Sequence, residues 1–293
     1  MPIETLIRQT MSGLSMGMVI FMIAVGLCLI FGTVRVLNMA HGSMYMVGAF
    51  LCYWFNNVLF QHFTGSFWVV AIVAPLLVAL VGLAVEMLLF RHIYSRDMIY
   101  QLILTFGVVL LIGDLCKIIW GVEYHLVSYP RFLDGAVNFL GITFPTYNIF
   151  LIITGVLVFV GLWVLMQHTR VGRIIRAITY DRDMVNALGV NVRRTYTVIF
   201  VLSCWLAGLG GVLTAPINVI TLGIDAEILI ECFIIVVIGG LGSMAGAFVG
   251  SIIFGLVNSF GILIAPRLAI GFSFLLMAFI LIIRPWGLMG KPE

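Results

Sequence analysis

Charged residues are scarce in this chain, because Asp, Glu, Lys and Arg together account for only 9% of its 293 residues. Soluble domains carry about a quarter charged residues. Hydrophobic residues instead reach 63%, and the mean hydropathy is +1.22. This composition excludes an ordinary soluble protein and predicts an integral membrane protein made of helices.

Motifs for catalysis and for nucleotide binding are also lacking. The tail Gly287-Leu-Met-Gly-Lys-Pro has neither the spacing nor the hydroxyl of a phosphate-binding loop. The sequence contains no His-Glu-x-x-His motif and no group of His and carboxylate residues at metal-ligand spacing. The string Gly13-Leu-Ser-Met-Gly17 matches Gly-x-Ser-x-Gly, but it lies inside a long apolar segment and not at the strand-to-helix turn of a nucleophile elbow. We therefore predict that the chain is not an enzyme and itself binds no metal, cofactor or ATP. Its basic residues are not interleaved with aromatic residues in a soluble domain, which argues against nucleic acid binding.

The cysteines and the N-terminus add two further exclusions. No Cys-x-x-Cys pair occurs, which argues against a redox or metal site. All five cysteines lie in apolar segments and are predicted to be buried packing residues: Cys28, Cys52, Cys116, Cys204 and Cys232. Residues 1–10 lead directly into further hydrophobic segments, so we predict a first membrane span rather than a removable signal peptide.

Long apolar segments recur along the whole chain. A bilayer core of roughly 30 Å requires about 20 apolar residues per helix. We predict helices over residues 11–34, 43–60, 67–90, 98–120, 147–167, 196–220, 228–239, 246–264 and 268–283. The seventh segment reaches only about 18 Å at 1.5 Å per residue, which favours a re-entrant helix. The prediction is a single all-α transmembrane domain, residues 1–293, with eight or nine transmembrane or re-entrant helices.

Arginine positions predict the orientation in the membrane, because cytoplasmic loops retain Lys and Arg. Residues 91–97 and the tail after residue 283 are basic, and residues 170–194 contain six arginines. The loops at 121–146 and 222–227 carry few or mostly acidic charges. With nine spans, the N-terminus lies outside and the C-terminus inside.

The arginine-rich loop contains the pattern of a short amphipathic helix. Asp181 or Asp183 can cap its N-terminus. Met184, Ala187 and Leu188 then share one face, and Gly189 stands where a left-handed residue ends a helix. About seven residues are too few for a stable isolated helix, so another surface must hold it. That surface is either a partner protein or the lipid headgroups.

Polar residues within the spans are few, and each has a structural and a functional interpretation. Asp114 and Lys117 are three residues apart, which predicts an intramembrane ion pair. Glu86 can pair at the Arg91 end of its span. If the turn before the second segment is helical, Asn38 and His41 share one face, as structural anchors or as part of a pathway or gate.

Glycines mark close helix contacts or a break. Gly13 with Gly17, and Gly242 with Gly246 and Gly250, form stripes of small residues that let helices approach closely in lipid. The break Gly239-Gly-Leu-Gly-Ser-Met-Ala-Gly246 is either part of such a contact or an unwound stretch that faces a cavity. If the break is an unwound stretch that faces a cavity, Gly239, Gly240 and Gly242 are candidates for the transport pathway.

Three separated motifs resemble one known family. They are Gly26-Leu-Cys-Leu-Ile-Phe-Gly-Thr-Val-Arg-Val-Leu-Asn-Met-Ala-His-Gly42, then Arg176-Ala-Ile-Thr-Tyr-Asp181 with Ala187-Leu-Gly-Val-Asn191, and finally Val237-Ile-Gly-Gly-Leu-Gly-Ser-Met-Ala-Gly246. In this order they resemble the permease subunits of bacterial branched-chain amino acid ABC importers, LivH type. The resemblance covers nearly the whole chain, from about residue 11 to residue 290.

The resemblance implies a multi-pass subunit of the bacterial inner membrane that works in a complex. Its implied partners are a second homologous permease in a heterodimer or homodimer, two cytoplasmic ATPase subunits that bind ATP, and a periplasmic substrate-binding protein. Residues 168–195 would form the cytoplasmic coupling loop. The residues implied to couple to the ATPase are Arg176, Asp181, Asp183, Met184, Ala187, Leu188, Gly189 and Val190. Val185-Asn186-Ala187 departs from the Glu-Ala-Ala of many permeases, which leaves the contacting side chain open.

The implied function is import of branched-chain or other hydrophobic amino acids by alternating access, with selectivity residing largely in the binding protein. The same architecture carrying urea, short amides or aromatic acids is an alternative. A self-sufficient secondary transporter is a second alternative, and it would require charged or unwound ion sites near the bilayer centre.

Overall fold

The computed structural model describes residues 3–34, 36–59, 66–94, 96–139 and 142–290. Within them the chain is mainly helical. The α-helices are α1 Ile3–Val34, α2 His41–Trp54, α3 Ser66–Leu88, α4 Met98–Trp120, α5 Thr146–His168, α6 Arg170–Tyr180, α7 Arg182–Ala187, α8 Val192–Thr214, α9 Ile224–Gly239, α10 Met244–Ile264 and α11 Ala269–Ile283. A π-helical turn, Phe55–Leu59, extends α2, and 3-10 turns form at Phe90–His92 and Pro266–Leu268.

Six of the described helices are long and apolar enough to cross a membrane, namely α1, α3, α4, α5, α8 and α10. The remaining apolar helices are shorter, with 14 residues in α2, 16 in α9 and 15 in α11. The predicted polytopic helical membrane fold is therefore confirmed, but the count of eight or nine crossings is not. Residue 60, the end of the second predicted segment, lies outside the described residues.

Strand structure occurs in a loop for which the sequence predicted none. Strands β1 Ala136–Phe139 and β2 Ile142–Pro145 pair antiparallel, with Ala136 opposite Pro145. This two-stranded hairpin is a small addition to a mainly helical fold. The helix predicted over residues 196–220 ends at Thr214, six residues before the predicted end. The segment that follows it pairs with the loop between α4 and α5 through an isolated bridge between His125 and Ile220.

Helix α1 forms the centre of the bundle and packs against α10, α8 and α5. Its contact with α10 depends on small residues, since a Cβ atom on Gly17 would come within 2.5 Å of the Ser251 carbonyl oxygen. Gly13 likewise lies against Gly255 and Ser259. Packing in lipid favours such close backbone approach. All five cysteines are buried and unpaired, as predicted.

The two ends of the bundle differ in charge. We call residues 89–94, 96–97, 168–195, 240–243 and 284–290 the basic end, and residues 3–9, 121–139, 142–145, 215–231 and 265–268 the acidic end. Among the described residues, the basic end holds Arg91, Arg96, Arg170, Arg173, Arg176, Arg182, Arg193, Arg194 and Arg284 against Asp97, Asp181 and Asp183. The acidic end holds Glu4, Glu123, Asp134, Asp225, Glu227 and Glu231 against Arg8, Arg131 and Arg267. The arginines of the loops that were predicted to be cytoplasmic thus lie together at the basic end of the fold.

Candidate functional site

The arginine-rich loop begins with a helix that the sequence analysis missed. Helix α6 starts at Thr169, whose hydroxyl accepts a hydrogen bond from the Gly172 amide at 3.1 Å. Ile175 and Ile178 lie on its buried face, and most of its arginine-bearing surface is exposed. This spacing of apolar residues is a helical signal that could have been recognised. The loop is therefore two consecutive helices rather than one.

Arg176 is folded back onto its own chain. Its guanidinium donates to the Met166 carbonyl and, at 3.2 Å, to Gln167 Oε1 at the end of α5. Cations near a helix C-terminus stabilise its unpaired carbonyl groups. The structure thus places this predicted coupling residue as a tie between α5 and α6, away from the exposed face of α7.

Helix α7 has the predicted caps at both of its ends. The Asp181 carboxylate accepts from the Met184 amide at 2.9 Å, which identifies Asp181 as the N-cap and leaves Asp183 in the first turn. Gly189 adopts a φ of 82°. Its amide donates to Asn186 O at 3.0 Å, and the Val190 amide donates to Val185 O at 3.3 Å. This pair of bonds is a Schellman motif, in which glycine avoids the strain of left-handed backbone.

One side of α7 fixes the helix to the bundle. Val185 is buried in a small apolar cluster with Ile178, Val192 and Tyr196. The Arg182 guanidinium lies over the Tyr196 ring, 5.6 Å from its centroid. A six-residue helix is unstable alone, and these contacts with the bundle stabilise it.

The other side of α7 is apolar and exposed. Met184 is 64% exposed and Leu188 is 78% exposed, with Ala187 also on the surface. An open concavity of about 550 Å³ lies beside them and is lined by Arg182, Asp183, Asn186, Gly189, Val190, Asn191, Val192 and Arg193. Large apolar side chains that are exposed within a polar rim are typical of an interaction site.

A polar network connects the α7 region to α3 and α8. The buried Glu86 accepts hydrogen bonds from Thr197 Oγ1 at 3.0 Å and from the Tyr94 hydroxyl at 3.3 Å. The Arg91 guanidinium lies 3.7 Å from the same carboxylate, which confirms the predicted pairing of Glu86 with this end of its span. Burial, and then the Glu86 charge, raise the pKa of Tyr94 above its usual range, so its hydroxyl stays protonated as a donor.

The network reaches α7 through aromatic contacts, because the Tyr94 and Tyr196 ring centroids are 5.4 Å apart. Arg182 therefore contacts a ring on α8 that packs against a residue bonded to α3. Nothing in the local sequence pattern pointed to Tyr94 or Thr197. Their partner Glu86 is eight residues from one and 111 from the other.

Asn38 and His41 do not share a helical face, because residues 36–40 are not helical and α2 begins at His41. His41 Nε2 donates to the Ile23 carbonyl at 2.8 Å, and Ser203 Oγ lies 3.5 Å from Nδ1. Asn38 Oδ1 accepts from the Ala40 amide at 3.1 Å. Both side chains are buried in the break between α1 and α2, where they satisfy and connect backbone groups.

The glycine break between α9 and α10 is closely packed. Gly240 and Gly242 have φ values of 103° and 81°. A Cβ atom on Gly242 would come within 2.9 Å of Gly32 Cα, and Gly239 lies against Gly246. The tail then covers the break, because the amides of Leu288 and Met289 donate to the carbonyls of residues 238 and 239 at 2.8 and 3.0 Å. These contacts match the close-packing interpretation.

Asp114 and Lys117 do not form the predicted ion pair. Both are exposed on α4, and the ion pairs among the described residues are those of Glu4 with Arg8 and Glu86 with Arg91. A spacing of three residues brings side chains to one face but does not fix their rotamers. Asp114 and Lys117 are therefore two separate charges on the outer surface of α4.

Comparisons with known proteins agree with this architecture. A family described as branched-chain amino acid transport system / permease component matches residues 9–283. The permease protein BraD of Pseudomonas aeruginosa is 27% identical over 98% of this chain and 96% of its own. LivH of Escherichia coli is 24% identical over the same shares. The xylose/arabinose import permease protein XylH of Sulfolobus acidocaldarius is 29% identical over 66% of this chain and 54% of its own.

No solved structure matches the chain. The family match extends over α1 to α11 and includes the capped α7 helix and the glycine break. The chain belongs to the branched-chain amino acid transport system permease family.

Proposed function

We propose that the chain is the membrane-spanning permease subunit of an ATP-driven importer for branched-chain or other hydrophobic amino acids in a bacterial inner membrane. BraD and LivH are named as high-affinity branched-chain amino acid transport permeases, which supports this cargo. A second permease and a binding protein act with it, and two ATPases hydrolyse the ATP. The chain itself binds no nucleotide.

The observation that carries the proposal is the geometry of α7. Met184 and Leu188 project outward from a helix that Val185 and Arg182 hold to the bundle. A groove on a partner protein can bury both apolar side chains within their polar rim, because they project from the side of α7 that faces away from the bundle. We assign this face to the ATPase and place the basic end in the cytoplasm.

Motion of α7 has a direct route into the membrane. When the paired ATPases close on ATP, each groove carries α7 with it. Arg182 transmits the movement to Tyr196 on α8, and the bonds among Tyr94, Glu86 and Thr197 link α8 to α3. The two permeases then open alternately toward the binding protein and toward the cytoplasm, and hydrolysis resets them.

The surface of α4 supports a second permease as a neighbour. Asp114 is exposed six residues before the end of the helix at Trp120. A charged side chain that faces lipid costs about 2.5 to 3.5 kcal/mol at the bilayer centre and less toward its edge. Coverage by protein removes that cost, and a related permease in a heterodimer or homodimer would supply it.

The first test replaces Gly189 by Leu in the complete transporter, reconstituted in vesicles with its ATPase, permease and binding-protein partners. The side chain forces strained backbone at φ 82° and displaces the end of α7. We expect ATP-dependent leucine uptake to fall at least tenfold while the complex assembles and ATP hydrolysis continues. Gly121→Leu is the matched control, because Gly121 has a φ of 83°, also has open space around it, and ends α4 at the opposite end.

Normal uptake in the Gly189 variant would remove the role assigned to α7. The secondary-transporter alternative is tested separately, since it requires uptake by the isolated subunit without any ATPase. Such uptake would contradict the proposed mechanism. Urea, short amides, aromatic acids and pentoses serve as competing cargoes in the same vesicles, with candidate binding proteins supplied in turn.

A further inference from the structure

A cavity of about 270 Å³ opens near the acidic end among α1, α5, α9 and the segment after α8. Half of its lining is apolar and half is polar. The apolar residues are Met16, Val19, Ile20, Leu151, Ile217 and Ile228. The polar residues are Ser12, Ser15, Asn148, Thr214, Asn218 and Glu231. None of these residues is among the pathway candidates predicted from the sequence.

Glu231 is the charged member of this lining. Among the described residues, no Lys, Arg or His lines the cavity with it, and Glu231 is in neither of the two ion pairs found there. Glu227, one turn away on α9, carries the same sign. A carboxylate that is largely removed from water without a fixed cation attracts a positively charged group from a ligand.

The neutral polar groups are arranged around the same space. The Ser12 hydroxyl comes from α1, and the amide side chains of Asn148 and Asn218 come from α5 and from the segment after α8. Asn218 already hydrogen-bonds the Tyr45 side chain, but a side-chain amide has two N–H donors, so one remains for a ligand. The groups of Ser12, Asn148 and Asn218 can thus donate hydrogen bonds to a ligand carboxylate. The Thr214 hydroxyl is already occupied, because it bonds to the Tyr45 hydroxyl and the Gly210 carbonyl.

We propose that this cavity binds a zwitterionic α-amino acid in transit, with the Glu231 carboxylate on its ammonium group and the aliphatic lining on its side chain. Ser12, Asn148 and Asn218 hold the carboxylate of the ligand. The inference rests on the proposed importer function and adds a recognition step within the permease. The permease therefore selects for a positively charged ammonium group on its substrate after the binding protein has released that substrate.

An inorganic cation fits the cavity less well. A hard cation such as Ca²⁺ takes six to eight oxygen ligands at about 2.3 to 2.6 Å. Here one carboxylate stands in a space whose lining is half apolar, which suits an ammonium group with an aliphatic tail. A cargo without positive charge would leave Glu231 without a partner.

The direct test is binding to the purified transporter complex without its binding protein. Leucine is compared with 4-methylpentanoate, which has the same side chain and carboxylate but no ammonium group. We expect wild type to prefer leucine at least tenfold, and Glu231→Gln to reduce that ratio toward one. Equal binding of the two compounds by wild type would overturn the assignment, whatever the variants do.

Uptake in vesicles provides the second measurement. Glu231→Gln should lower ATP-dependent leucine uptake at least tenfold, and Glu231→Asp, which keeps the charge, should retain more. Glu227→Gln is the matched control, because this carboxylate is exposed on the same helix and does not line the cavity. Copurification of the ATPase subunits establishes that each variant assembles.

Wild-type uptake in Glu231→Gln would contradict the proposal. So would leucine binding that disappears when choline replaces Na⁺, since that result assigns the carboxylate to an inorganic cation. Failure of the proposed function is distinguishable, because it appears in the wild-type complex as an absence of ATP-dependent amino acid uptake.

Discussion

The basic and acidic ends use the same kind of helical framework in opposite ways. At the basic end the apolar side chains of Met184 and Leu188 project outward, and the glycine break beneath the tail is packed shut. At the acidic end the apolar and polar side chains converge inward on a cavity that contains Glu231. In the proposed function, the basic end docks against another protein and the acidic end binds a small ligand.

The proposed docking and ligand-binding functions place different demands on the packing of the two ends. Docking requires an exposed apolar face, which lowers solubility but does not change the packing density of the interior. Ligand passage requires an interior gap, which lowers packing density locally. The exposed apolar face of α7 and the cavity lie at opposite ends of the bundle, and α1, α3 and α8 run between them.

The largest expected effect tests whether the two ends belong to one rigid body. Gly17→Leu would drive a side chain into the Ser251 carbonyl, where even a Cβ atom comes within 2.5 Å. Overpacking of this severity costs about 3 kcal/mol or more. We expect loss of the monodisperse folded protein in size-exclusion chromatography and a lower melting temperature.

Gly113→Leu is the control for that experiment, because Gly113 lies within α4 and a Cβ atom added to it would meet no described atom within 4 Å apart from its chain neighbours and the backbone of its own helix. This variant should behave as wild type in both measurements. If Gly17→Leu were equally stable, the contact between α1 and α10 would not hold the ends together, and each end would have to be considered alone.

A smaller effect is expected from Leu188→Asp, which alters the basic end alone. Burial of a leucine in a partner groove contributes about 1.5 to 3 kcal/mol. Its loss should weaken ATPase binding roughly tenfold to hundredfold, since each 1.4 kcal/mol is a factor of about ten. Leucine binding at the acidic end should be unchanged, because Leu188 is 78% exposed and takes no part in the cavity.

The measurement is the affinity of the purified permease for its ATPase. Thr179→Asp introduces the same charge at an exposed position on α6 and should change the affinity much less. An equal loss in both variants would indicate general electrostatic repulsion from the basic end. That outcome would contradict a specific role for the apolar face.

The smallest effect is expected from Asp181→Ala. Removing an N-cap hydrogen bond costs about 1 kcal/mol of helix stability. Because α7 has only six residues, we expect a severalfold drop in ATP-dependent uptake with little change in overall melting temperature. Asp183→Ala should have a weaker effect, because Asp183 lies in the first turn and Asp181 supplies the cap bond. Equal uptake in the two variants would show that the cap does not matter.

The sequence allowed most of the spans to be predicted, because hydropathy reports burial in lipid directly. The bounds predicted for α4 coincide with those observed, and the Asp181 and Gly189 caps of α7 follow from local rules. Failures occurred where a local rule was incomplete. Asn38 and His41 were predicted to share one face if their turn were helical, but residues 36–40 are not helical, and His41 instead bonds to the Ile23 carbonyl of α1.

The cavity could not have been predicted from any local pattern. Ser12 and Glu231 are far apart in sequence and meet only through the packing of α1 and α9. A single glutamate after two acidic residues is typical of an interfacial charge, and its neighbours are ordinary span residues. The same holds for Glu86 and Thr197, which depend on the contact of α3 with α8.

The length of α1 has a consequence for the shape of the protein in its membrane. Its 32 residues extend about 48 Å at 1.5 Å per residue, whereas the hydrocarbon layer is about 30 Å thick. Ordinary tilts of up to about 40° do not absorb the excess. Part of α1 therefore extends beyond the hydrocarbon layer, which places its first turns, where Arg8 donates to Thr143 of the β-hairpin, among the lipid headgroups.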